Sequence, residues 1–178
     1  MGAAAGLGMA IAAAPIAPAP KPSFPAYSVD GFNIKSKQEE NVYLMALTMW
    51  GEARNGGPSA MRNIGHVIMN RLHSKRHFGS DIKSVVWKRK AFSCWNKSDP
   101  NFTGMKKIAA LDDNNLEKKR WRQALDLAGQ IINRGERDPT NNALFYHTSN
   151  TSPYWADGVE PVADIGGHKF YDRDAKST

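Results

Sequence analysis

A single cysteine, Cys94, stands among 178 residues. It excludes an internal disulfide and a cysteine-built zinc cage, so the fold has to stand on packing. No internal repeat is present, and no apolar run reaches the roughly 20 residues that cross a bilayer. Acidic residues are the scarcer charge, 17 against 24 Lys and Arg, which leaves +7 and favours an anionic partner such as nucleic acid, anionic lipid or a bacterial wall polymer. The first twenty residues hold no Lys or Arg, so the positive start of a secretory signal is missing. Prolines at 15, 18, 20, 22 and 25 then make an extended connector. Residues 1–35 are expected to be an Ala/Pro-rich disordered tail or linker, and 36–178 one domain. With 41% apolar and 23% charged residues the chain has the composition of a globular protein.

What is there reads first as helices. Ser36 followed by Glu39 has the form of a capping box, the serine oxygen taking one free N–H and the glutamate another. Val42, Met45, Met49 and Ala53, widened by Tyr43, Leu47 and Trp50, give a helix one core-facing stripe that ends at Asn55-Gly56-Gly57-Pro58. A second helix starts near Ser59 and turns Ile64, Val67, Ile68 and Leu72 inward. Ile82, Val85 and Val86 suggest a short turn of helix opened by Ser80 or Asp81, and Phe92 to Trp95 reads as an aromatic loop. A long helix should start at Asp112-Asp113, bury Leu116, Trp121, Ala124, Leu125, Ala128, Ile131 and Ile132, and stop at Gly135. After a turn at 138–142 come a short strand, Ala143 to Tyr146, and a hairpin closed through Gly166-Gly167. The fold class is α+β, helices first and a small C-terminal β element last. The stretch from Asn96 to Asp112 has no assigned role.

Glu52 is the candidate for the chemistry. It ends the first helix, one turn after Thr48 and Met49, at the edge of an apolar face. A carboxyl group beside Trp50 and methionines loses hydration, which favours the protonated acid that can give a proton to a leaving oxygen. The plainer alternative is a solvated glutamate paired with Arg54 or Arg71. A second carboxylate does not declare itself: Asp81, Asp99, Asp138, Asp157 and Asp164 are each also ordinary turn or cap residues.

The run Trp50-Gly51-Glu52-Ala53-Arg54, then Gly56 and Pro58, then Val67-Ile68-Met69-Asn70-Arg71, resembles the opening block of the SleB-like cell wall hydrolases. Phe78, Ile82, Val85-Val86, Phe92-Ser93, Asp138-Pro139-Thr140, Ala143 to His147, Trp155 and Ile165 to Phe170 follow in that family's order, so the resemblance covers roughly residues 40 to 171. It implies a mainly helical, lysozyme-like domain acting on peptidoglycan as a lytic transglycosylase or muramidase. Glu52 would be the general acid, and neither cofactor nor metal would be used. Aromatic faces stack on sugar rings and polar groups meet hydroxyls, which makes Asn70, Phe92, Trp95, Tyr146, His147, Trp155 and His168 the expected substrate-binding residues. Asn70 and Arg71 either orient the glutamate or pack a helix end; Trp50 and Trp121 belong to the core.

A compact basic domain of this kind is expected to be a monomer acting at the bacterial wall, with weak electrostatic contact to the anionic envelope. A phage endolysin that passes the membrane through a holin fits best. Two other classes remain to be tested against the structure. His73 and His77, spaced i, i+4, could chelate zinc with His66 or His147, as in a metal-dependent amidase or peptidase. The seven Lys and Arg between Arg71 and Lys90, with Phe92 and Trp95, could instead bind nucleic acid, although no nucleic-acid partner is expected.

Overall fold

The computed structural model describes residues 34–74 and 76–174, so all but the last two residues of the expected tail lie outside it. Ile34 is already buried in the core, ahead of the boundary expected at Ser36.

Helix α1 spans Lys37–Ala53. The Ser36 hydroxyl accepts from the Glu39 N–H at 3.2 Å, as the capping motif requires. The Glu39 carboxylate, however, accepts from the Lys35 N–H at 2.6 Å and not from Ser36. The single core-facing stripe is also corrected. Residues 42–51 are all buried, because α2 (Gly57–His73), α3 (Ile82–Val86), α4 (Pro100–Lys107) and α5 (Leu116–Arg134) surround α1. A helix apolar on every side is a central helix. Thr48, fully buried in this setting, gives its hydroxyl proton to the Leu44 carbonyl at 2.8 Å.

Helix α2 begins at Gly57 after a single 3-10 turn, with Pro58 in its first turn, where a missing N–H costs nothing. Its Ile64, Val67 and Ile68 are buried as expected, whereas Leu72 is half-buried. Asp81 and Ser84 exchange side-chain and backbone hydrogen bonds at the start of α3. The unassigned stretch 96–112 holds α4, capped by Asp99 and opened by Pro100, with Met105 and Ile108 in the core. Helix α5 is capped by Asn115, not by Asp112-Asp113, and so starts later than expected. Leu116 then falls in the first, solvent-facing turn at 60% exposure instead of in the core. Trp121 meets Tyr43 edge-on at 5.7 Å, and Gly135 stops the helix at φ 58°.

Three short strands follow: β1 (Phe145–Thr148), β2 (Ala163–Ile165) and β3 (His168–Tyr171). They form one antiparallel sheet with β3 in the middle. Gly166 and Gly167, at φ 61° and 76°, supply the two left-handed residues that a two-residue hairpin turn needs. β1 starts two residues later than expected, because Ala143 and Leu144 still belong to the connection from the 138–142 turn. Tyr146 pairs with Phe170 and His147 with Lys169, so successive β1 side chains face opposite sides of the sheet.

Candidate active site

The last turn of α1 delivers Glu52 half-buried at the junction of three segments. Its Oε1 accepts from the Cys94 N–H at 2.8 Å and from the Ser93 hydroxyl at 3.2 Å. Its Oε2 accepts from the Tyr146 hydroxyl at 2.7 Å. The expected apolar setting is therefore corrected. Trp50 turns into the core under the Arg54 guanidinium, and the carboxylate itself lies in a cradle of donors. It pairs with neither arginine: Arg54 bonds Glu117 at 2.8 Å, and Arg71 bonds main-chain carbonyls.

Gly51 makes the cradle possible. A Cβ built on it would lie 2.6 Å from the Cys94 Cβ and 2.8 Å from the Met105 sulfur. Only a residue without that carbon lets the 3-10 turn Ser93–Trp95 sit against α1 and aim the Cys94 N–H at the glutamate.

Two further groups keep fixed protonation states. Burial, then the charge of Glu52 and its hydrogen bond, pushes the Tyr146 hydroxyl well above its ordinary range, so it stays protonated and donates. Burial and the same neighbour raise the Cys94 thiol, which is buried and inert as a nucleophile.

The other expected site residues divide. Phe92 is buried and tilted against Tyr146 at 6.4 Å; His168 meets the Tyr146 ring edge-on at 5.7 Å while its Nδ1 lies 3.2 Å from the Gly166 carbonyl. These two support the tyrosine. Asn70 instead clips α2 to the following turn, donating to Asp138 at 2.8 Å, Thr140 at 3.3 Å and the Ala143 carbonyl at 3.1 Å. Trp95 donates to Thr48 at 3.0 Å and lines a separate, largely apolar cavity of about 390 Å³ with Tyr43, Leu47, Trp87 and Phe102. His147 and Trp155 lie on the face of the sheet turned away from Tyr146. There His147 stacks on Tyr171 at 5.3 Å with Trp155 edge-on to both, beside a polar cleft of about 480 Å³ that includes Tyr154. Nothing in the sequence marks Ser93 and the Cys94 N–H as partners of Glu52. A backbone donor leaves no mark in residue type, although the Phe92-Ser93 pair does mark the segment.

Four of the five candidate second carboxylates have other work, and Asp157 lines the polar cleft beside Tyr154. Asp81 and Asp99 cap helices, and Asp164 accepts from Ser149 at 3.4 Å. Asp138 accepts from the Thr140 and Asn142 backbones and the Thr140 hydroxyl. Burial pushes its carboxyl up, but the hydrogen bonds from Thr140 and Asn70 hold it below the usual range. The zinc arrangement does not form as imagined, because α2 ends at His73 and leaves His77 outside the helix. Among the described residues no group of three or more His, Cys, Asp or Glu could hold a metal. The basic stretch is largely engaged: Arg71 is buried, Arg76 pairs with Asp174, Lys83 with Glu40, and Lys88 with the His77 carbonyl. Phe92, buried beneath Arg71, is not offered to a base. Among the described residues no helix is long and apolar enough to cross a membrane.

Comparison with known proteins bears on this geometry. A family profile described as cell wall hydrolase matches residues 55–171, beginning just after Glu52 and including the Ser93–Cys94 and Tyr146 segments. No curated protein sequence matches the chain. Among solved structures, the catalytic domain of the Bacillus cereus SleB protein is 25% identical, covers 81% of this chain and 97% of its own, and superposes with a TM-score of 0.51. The catalytic domain of the germination-specific lytic transglycosylase SleB from Bacillus anthracis is 24% identical, with 77% and 96% covered and a TM-score of 0.53. The fold expected from the sequence, mainly helical with a small sheet, is the fold these domains share.

Proposed function

The chain belongs to the cell wall hydrolase family, a degrader of peptidoglycan, and from that premise we propose that it is a lytic transglycosylase in which Glu52 is the only acid and base. The observation that carries this reading is the cradle: one carboxylate, three donors, and no second carboxylate bonded to it among the described residues. The similarity to the B. anthracis transglycosylase supports it through the fold.

The cradle also favours one position for the proton. The Cys94 N–H cannot turn, so Oε1 has to accept in both protonation states of Glu52. The transferable proton therefore sits on Oε2, beside a Tyr146 hydroxyl that can rotate. Glu52 gives this proton to the glycosidic oxygen as the bond from C1 of the muramic acid breaks. The resulting carboxylate then takes the proton of the same sugar's 6-hydroxyl as that oxygen closes on C1. The acid is regenerated, no water is consumed, and the product ends in a 1,6-anhydro ring.

Glu52→Gln keeps the shape and cannot give the proton, so turnover on purified sacculi should fall by about two to four orders of magnitude with the fold intact. Near-normal clearing by a folded Glu52→Gln protein would end the assignment. Mass spectrometry of the released muropeptides should find ends lighter by one water than reducing ends. Reducing ends alone would mean a hydrolytic muramidase, and cut amide bonds would reject both.

A further inference from the structure

The two segments that bring donors to Glu52 are tied to one buried side chain. Arg71, on α2, is 6% exposed. Its Nε donates to the Leu144 carbonyl at 2.7 Å and its Nη1 to the Ala91 carbonyl at 3.1 Å. Leu144 precedes Tyr146 by two residues; Ala91 precedes Ser93 by two and Cys94 by three. The guanidinium is pressed on the Phe92 ring, 4.7 Å from its centroid, with Phe78 at 5.4 Å. Both carbonyls are thus referred to one planar, rigid fork. Helix α2 in turn packs on α1, which carries Glu52, so carboxylate, loop and strand share one frame.

Among the described residues no carboxylate pairs with Arg71, and a buried cation of that kind is costly to keep. Burial presses the guanidinium below its ordinary range while the neighbouring Tyr146 and Glu52 oppose that effect. An arginine nevertheless stays charged, so its hold on the two carbonyls does not vary with pH.

We propose that Arg71 is a positioning residue of the active site, setting the separation between the Ser93–Cys94 donors and the Tyr146 hydroxyl and thereby the orientation of the Glu52 carboxylate. The proposal rests on the reading of Glu52 as the acid. It has a readout that needs no turnover. Cys94 is the only cysteine, so protein labelled with ¹⁵N-cysteine gives one amide resonance, from the N–H that bonds Glu52.

Arg71→Lys keeps the charge, but one ammonium cannot hold both carbonyls in a fixed plane. On a soluble glycan fragment kcat should fall at least about tenfold with KM within about threefold, since small misplacements of catalytic groups are that expensive. The Cys94 amide should move toward its position in Glu52→Ala, which removes the acceptor. Ile131→Val, a core change in α5 that loosens the fold without touching the site, should leave the resonance in place. Normal kcat in a folded Arg71→Lys protein, or a loss of kcat with the Cys94 resonance unmoved, would overturn the proposal. If Arg71→Lys does not fold, Arg71→Gln, which removes the buried charge and keeps one donor, is judged by the same two readouts. Failure of both to fold where Ile131→Val folds would also overturn it, making Arg71 a residue of the core alone. Full activity in Glu52→Gln would overturn the reading of Glu52 and leave the amide result standing, so the two failures are distinct.

Discussion

At Gly51 a single missing carbon decides whether the glutamate beside it has its backbone donor. Gly51→Ala should push the Cys94 turn off α1, lowering stability by about 1–3 kcal/mol, as overpacked cores do, and lowering sacculus clearing at least about tenfold. Clearing rates and thermal midpoints measured together check this, and wild-type clearing by the alanine protein would show that the turn can yield without harm. The same locality explains what could be read in advance. Glu52 was legible because its motif is a run of adjacent residues. Tyr146 was legible as an aromatic within a second motif, but its hydrogen bond to Glu52 spans 94 positions and only the fold supplies it. His147 and Trp155 share with Tyr146 the side-chain chemistry that suits a sugar, but a period of two puts His147 on the opposite face of its strand, and Trp155 packs there against it.

Among the elements, α2 ties the segments of the candidate site together through its side chains. Asn70 clips it to the 138–142 turn, Arg71 to both donor segments, and His66 lies buried with its Nδ1 3.8 Å from Asp138. Burial lowers the pKa of His66; Asp138 opposes this and Arg62 adds to it, so the folded protein holds the ring neutral. The unfolded chain, whose histidine titrates near 6.5, takes up a proton first as pH falls. Stability should therefore be fully present above about pH 6.5 and decline below it. Urea midpoints at pH 7.5 and 5.5 should differ in that direction, and His66→Asn should reduce the difference; equal midpoints in the parent would refute the effect. Asp138, held below the usual carboxylate range, adds a separate loss only at lower pH. Helix starts are legible to the extent that caps are local: Ser36 caps α1 as expected, Asp81 is one of the two caps expected for α3, and Asn115 takes the place expected for Asp112-Asp113. Helix α4 is not legible although Asp99-Pro100 is a good start signal, because its eight residues show too little periodicity to announce a buried face.

Over the whole molecule, +7 is spread unevenly, and much of the densest cationic stretch is spent internally. Arg89 and Lys90 are exposed. Replacing both with Gln should weaken adhesion to sacculi at low salt and flatten its salt dependence by about two released counterions. Cleavage of a short soluble glycan should stay within about twofold, because exposed charges act on encounter more than on turnover. Cosedimentation across a salt series measures the first effect, and an unchanged slope would show that adhesion lies elsewhere. The order of the parts along the chain has a last consequence. During synthesis Glu52 is made before Cys94, and both before the strand that carries Tyr146, so the two donors reach the carboxylate only after it. If Glu52 is the acid, a chain still in synthesis holds it without the donors of its cradle until the strand with Tyr146 has been made.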